Sequence, residues 1–185
     1  MAKETNINLL DWFKIDPNQN EKIKQKQQEA QIDKLFRYLD ENNDGTVSHD
    51  EFIEGMKALL NIGNEFYEDL EIMFNCADKG SDHKLTEKAN DNKLGKKEFR
   101  NFMMQIGNLP DYCDNVERFI AHVLFKLIDK DKSDQITKSE LKKFVKSYVD
   151  KSYTDSQIEI FMSQLDSDVN CQISETEFIR WYCEM

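Results

Sequence analysis

Apolar residues recur along this chain at the three-and-four spacing of an amphipathic helix, in eight separate runs. Ile32, Leu35, Phe36 and Leu39 share one helical face, and Phe52, Ile53, Met56, Leu59 and Leu60 share the next. Phe66, Leu70, Met73, Phe74 and Ala77 follow, then Phe99, Phe102, Met103 and Ile106. The strongest stripe, Phe119, Ile120, Val123, Leu124, Leu127 and Ile128, opens the second half. Leu141, Phe144, Val145 and Tyr148 come next. Ile158, Phe161, Met162 and Leu165 start behind Thr154 and Gln157, a T-x-x-Q capping box. Phe178, Ile179 and Tyr182 close the chain, with Trp181 expected to pack beside them. No alternating run is long enough for more than a very short strand. The pattern predicts an all-α fold of four helix pairs.

A short acidic loop separates the two helices of each pair. The loops centre near residues 45, 88, 135 and 172, a spacing of about 40 residues that marks a repeat architecture. Gly107-Asn108-Leu109-Pro110-Asp111 reads as a helix stop followed by a proline, and the boundary between two halves is placed there. The expected organisation is an N-terminal apolar segment over 1–21, a first pair of repeats over 22–107, a linker over 108–112 and a second pair over 113–185.

The first loop, from Asp40 to Glu51, fits D-x-[DN]-x-[DN]-G-x5-E at every position. A hard cation such as calcium takes roughly six to eight oxygens at about 2.3–2.6 Å. Asp40, Asn42 and Asp44 offer side-chain oxygens from alternate positions, Thr46 a backbone carbonyl, Ser48 a direct or water-mediated contact and Glu51 a bidentate carboxylate. Gly45 permits the positive φ that turns the loop, and Val47 is placed to bridge to a partner loop.

The third loop offers Asp129, Asp131, Ser133, Gln135, Thr137 and Glu140 at the same positions, with Ile136 bridging and Asp134 at position six. The fourth offers Asp166, Asp168, Asn170, Gln172, Ser174 and Glu177, with Ile173 bridging. Its sixth residue is Cys171, which brings no local hydrogen bond of its own to favour positive φ. A left-handed non-glycine residue costs about 1–2 kcal/mol, which would weaken binding roughly 5- to 30-fold.

The second loop departs. Phe74 precedes Asp78 as Phe36 precedes Asp40, and Leu94 to Phe99 match the last positions of a loop and the first of its exit helix. Yet Asp78 to Glu98 spans 21 residues. Counting twelve from Asp78 puts Gly80 at position three and Ala89 at twelve; counting back from Glu98 puts Ala89 at three and Asn92 at six. Neither register gives a full oxygen set, and Lys79, Lys84, Lys88, Lys93, Lys96 and Lys97 crowd the segment. A structural hand with an inserted loop and no ion is expected, with Leu94 paired to Val47.

On these loops, residues 22–185 resemble the EF-hand calcium-binding superfamily in its four-hand form, similar to calmodulin-type sensors and to sarcoplasmic calcium-binding proteins. The resemblance implies two lobes, each a face-to-face pair of hands joined by short β-bridges, binding about three calcium ions. It leaves two functions open. In a sensor, calcium exposes a hydrophobic groove for an amphipathic helix of a target; in an intracellular buffer or store, binding barely changes the surface. Magnesium is the competing ion, although the bidentate glutamate at position twelve favours calcium.

Charge agrees with this. The chain has 36 Asp plus Glu against 25 Lys plus Arg, a net charge of −11, and three calcium ions would bring it to −5. That charge argues against binding nucleic acid or an anionic membrane, and no apolar run is long enough to span a bilayer. Only 2 prolines and 6 glycines are present, so no long disordered tract of that kind is expected. The start MAKETNINLLDWFK has neither a signal-peptide pattern nor Gly after Met. Cys76, Cys113, Cys171 and Cys183 lie far apart and read as free thiols of a cytoplasmic protein. His49, His83 and His122 are scattered away from any nucleophile motif, so no enzyme is expected, and a monomer is expected rather than an oligomer. Residues 7–15 read either as a strap packed on the body or as a plug in a lobe's groove. Met56, Met73, Met103, Met104 and Met162 are assigned to core positions, with a methionine-lined groove as the alternative.

Overall fold

A computed structural model describes residues 20–78, 91–107, 110 and 113–184. The apolar segment over 7–15, most of the linker and most of the inserted second loop lie outside the described residues. The chain divides into two units, Met1–Asp111 and Tyr112–Met185. Among the described residues every strand is three residues long and the rest of the regular structure is helical.

The first unit contains α1 (Glu21–Leu39), β1 (Thr46–Ser48), α2 (His49–Leu60), α3 (Tyr67–Asp78), β2 (Lys93–Gly95) and α4 (Lys96–Ile106), with a short 3-10 turn at Asn64–Phe66. Asn20 starts α1 by accepting the N–H of Lys22. Asn61, at φ 54°, ends α2, because asparagine adopts the left-handed region that stops a helix. The predicted apolar faces meet in one core, where Phe52, Phe74 and Phe99 are fully buried. Their rings pack edge-on: Phe52 with Phe74 at 5.6 Å, Phe52 with Phe102 at 6.2 Å and Phe36 with Phe99 at 5.6 Å. Gly55 lets α2 come close to α1, since a Cβ there would stand 2.4 Å from Leu39 Cδ2. The polar run after Glu21 faces solvent, and Lys96–Asp33 and Arg100–Glu29 ion pairs tie α4 to α1.

The second unit repeats the plan with α5 (Val116–Ile128), β3 (Gln135–Thr137), α6 (Lys138–Phe144), α7 (Asp155–Leu165), β4 (Gln172–Ser174) and α8 (Glu175–Glu184). Phe119, Phe125 and Ile120 fill its core. Trp181 packs on Phe161 at 4.8 Å and on Phe178 at 6.1 Å, as its position in the last repeat led us to expect. The α6 run continues as a π-turn over Val145–Val149, closed by Asp150 N donating to Val145 O at 2.9 Å.

Each unit has one antiparallel bridge. Val47 pairs with Leu94, and Ile136 with Ile173, and all four side chains are fully buried. The bridge joins loop to loop while its central side chain plugs the top of the core. One expectation needs correcting. Met104 is 42% exposed rather than in the core, because it follows the buried Met103 and lies about 100° further round α4. Met56, Met73, Met103 and Met162 are buried.

Replacing Leu94 with Ala leaves a cavity at the first bridge. The expected loss is about 2–5 kcal/mol, read as a lower denaturant midpoint of the metal-free protein.

Candidate metal centres

Loops one, three and four are built alike from their two ends. The first aspartate accepts the N–H groups of positions five and six. Asp40 takes Asp44 N at 3.1 Å and Gly45 N at 3.0 Å. Asp129 takes Ser133 N at 3.1 Å and Asp134 N at 2.9 Å. Asp166 takes Asn170 N at 3.0 Å and Cys171 N at 2.8 Å. The position-three side chains, Asn42, Asp131 and Asp168, accept the same position-five N–H at 2.7, 3.1 and 3.2 Å.

The last glutamate closes the loop from the other side. One oxygen of Glu51 accepts the N–H groups of Glu41 and Asn42, at 3.1 and 3.2 Å. One oxygen of Glu140 accepts those of Lys130 and Asp131, at 3.0 and 3.4 Å. One oxygen of Glu177 accepts those of Ser167 and Asp168, at 2.9 and 3.3 Å. The second oxygen of each serves the exit helix. It accepts both the N–H and the hydroxyl of Ser48, Thr137 or Ser174, all within 2.7–3.0 Å. Those hydroxyls in turn receive the N–H of the glutamate, so position nine and position twelve form a capping box. Thr46, Gln135 and Gln172, read as backbone-carbonyl positions, sit in the bridges.

This geometry forces the backbone at position six into the left-handed region. Gly45, Asp134 and Cys171 have φ of 85°, 59° and 65°. The Asp166 carboxylate holds the Cys171 N–H, so the cysteine is kept there by its neighbour's side chain rather than by its own. Position four is left-handed as well, at Asn43, Lys132 and Val169, which the sequence did not suggest. Val169 is the most strained of these, because a β-branched side chain resists positive φ.

The carboxylates respond to these donors. Burial works against the charged form of Glu177, but the N–H and hydroxyl of Ser174 and those of Ser167 outweigh it and hold its pKa at about 2. Burial likewise opposes Glu51, and hydrogen bonds from Ser48, Asn42 and Glu41 bring it below the ordinary value. Burial dominates at Asp129, whose pKa is raised. Hydrogen bonding to the Ser133 hydroxyl lowers that of Asp131.

Two acidic triads are gathered among the described residues. Asp129, Asp131 and Glu140 form one, and Asp166, Asp168 and Glu177 the other, each offering oxygens within 4.8 Å of one another. Oxygens on opposite sides of a calcium ion stand about twice 2.3–2.6 Å apart, so both triads fit that ion. Loop one differs. Its third position is the amide Asn42, and its third acid, Asp44, stands at position five. Asp44 accepts the Thr46 hydroxyl at 2.6 Å, the Thr46 N–H at 2.9 Å and Lys93 Nζ at 3.2 Å. Those donors hold its pKa at about 2.

Several residues beside the loops were not legible in sequence. Lys126 on α5 reaches Asp134 at 3.0 Å and Glu175 at 3.3 Å, joining position six of loop three to the helix that leaves loop four. Burial disfavours its ammonium, but the two carboxylates outweigh burial and raise its pKa. His122, also on α5, is buried with Nδ1 on Glu175 and Nε2 without a hydrogen-bond partner. In the second hand, Asn92 has φ 61° and Glu98 accepts the Gly95 N–H at 2.8 Å, so its exit half follows the common plan. Asp78 is fully buried at the end of α3. Residues 79–90 lie outside the described part.

Helix, oxygen-lined loop and capped exit helix define a calcium-binding module. The chain matches the EF-hand domain pair family over residues 117–183 and the EF hand domain family over 31–59. It belongs to the EF-hand calcium-binding proteins, a family that is typically non-enzymatic. A search of curated proteins gives no match to the chain. Among the described residues no helix is long and apolar enough to cross a membrane.

The Glu177 shift has a definite sign. Its folded pKa of about 2 lies below the ordinary 4.5, so the stability it confers is complete above pH 4.5 and is lost as pH falls through about 2. Ser167→Ala removes the hydroxyl donor, and carboxyl titration by NMR in the metal-free protein should show the Glu177 pKa moving up toward 4.5. Cys171→Gly relieves the left-handed cost, and calorimetry should show the fourth site tightening roughly 5- to 30-fold.

Proposed function

We propose that the protein is a calcium sensor. It binds about three calcium ions, in loops one, three and four, and regulates a partner by exposing a hydrophobic groove to an amphipathic helix. The observation that carries this reading is the double use of Glu51, Glu140 and Glu177. One carboxylate serves both the loop backbone and the N-cap of the exit helix. An ion that takes both oxygens therefore acts directly on the start of that helix. The second helix pair of the first unit is the second hand. It completes a lobe through the Val47–Leu94 bridge and takes no ion. Magnesium competes for the same oxygens when calcium is low.

The buffer reading has one observation in its favour. Phe52, Phe74, Phe99, Phe119 and Phe125 are all fully buried, and a core packed this closely resists opening. The remaining assignments follow from composition. A net charge of −11 disfavours nucleic acid and anionic membranes. The four cysteines, free of disulfides, suit the cytoplasm, with a monomer as the working form. No catalytic role is assigned.

Titrating calcium into the metal-free protein, with magnesium fixed at a cytosolic level and a hydrophobic-surface dye as reporter, separates the two. The sensor reading predicts dye binding that rises with calcium. A flat or falling signal at full calcium occupancy would favour the buffer, or a groove still covered by residues 7–15.

A further inference from the structure

The strands β1 and β2 bring the second hand's backbone directly against the first loop. Ser48 lies opposite Lys93 in the bridge. From there the Lys93 side chain crosses to loop one and sets Nζ 3.2 Å from Asp44 Oδ2. Asp44 is position five of the loop that fits the calcium pattern at every position. The second unit is built differently at this point. There Thr137 lies opposite Gln172, so the residue matching Lys93 is a neutral amide, and the residue matching Asp44 is Ser133.

We propose that Lys93 is a tethered cation, supplied by the second hand, that competes with calcium for Asp44 and lowers the affinity of the first loop. This rests on the reading that loop one binds calcium. An ammonium on Asp44 neutralises part of the charge an incoming ion would use and competes for Oδ2, one of the two oxygens it could take. The pair is exposed on both sides, with side chains 48% and 39% accessible, so its effect is that of a surface ion pair. The first loop is thus weaker than its perfect pattern indicates. The second hand acquires a role without binding an ion: it tunes its neighbour.

The test follows the backbone amides of Gly45, Asp134 and Cys171 by NMR while calcium is added to the full chain, each amide reporting its own loop. In Lys93→Gln the Gly45 midpoint should fall by about two- to fivefold, the size an exposed ion pair allows. The Asp134 and Cys171 midpoints should stay in place. Lys97→Gln removes the same charge from an exposed position in the first turn of α4 and should leave Gly45 unchanged. The metal-free Lys93→Gln protein should also melt slightly lower, having lost the pair. An unmoved Gly45 midpoint, or an equal shift in Lys97→Gln, would overturn the proposal while leaving loop one a calcium site. Glu51→Gln distinguishes the deeper failure. If it does not weaken the Gly45 response, loop one binds no calcium and both readings fall.

Discussion

In loops one, three and four the final glutamate gives one oxygen to the N–H groups that open the loop and the other to the cap of the helix that leaves it. Each of these hydrogen bonds is charge-assisted and so stronger than a neutral one. Without them, the N–H groups at three helix starts and three loop openings would need other partners. Much else in the molecule follows from this constraint. A carboxylate committed to both places fixes where the exit helix begins, and the exit helix carries the apolar face that completes each core. The loop is consequently short, its backbone folds over at position six, and a residue there must tolerate positive φ whether it is Gly45, Asp134 or Cys171.

The bridges then couple one loop to the next. Val47–Leu94 and Ile136–Ile173 put a buried side chain from each loop into the shared core, so movement of one loop is felt in its partner. In the second unit Lys126 adds an electrostatic link, touching Asp134 beside one site and Glu175 beside the other. In the first unit the link is asymmetric. The second hand contributes bridge, cap and buried Leu94, together with a lysine aimed at its neighbour's loop. The two units share a backbone plan and differ in how charge is arranged around it.

Much of this was legible in the sequence, because both signals involved are local. The helices follow from i, i+3, i+4 spacing, and Val47, Leu94, Ile136 and Ile173 identify themselves by their fixed offset from the final glutamate. The loop geometry is equally local: twelve residues hold both ends. What the sequence hid is long-range or off-pattern. His122 and Glu175 are 53 residues apart, and Lys93 and Asp44 are 49 apart, with nothing in either neighbourhood to announce the contact. Position four turns left-handed at Lys132 and Val169 because the loop's closure demands it, against the preference of both residues. Met104 misled because an apolar residue next to a core residue satisfies composition without satisfying the helical angle. At Cys171 the sequence showed the cost of positive φ but not the Asp166 hydrogen bond that holds the residue there in spite of it.

The proposal of three calcium ions rests on three doubly used glutamates. Native mass spectrometry of the full chain, with calcium raised to saturation and magnesium absent, counts them directly. The account predicts a dominant species carrying three. A dominant four would mean that the long second loop supplies an oxygen set of its own, and a dominant two would mean that loop one, despite its glutamate, does not hold an ion. Either count would contradict the link drawn here between the capped glutamate and the site.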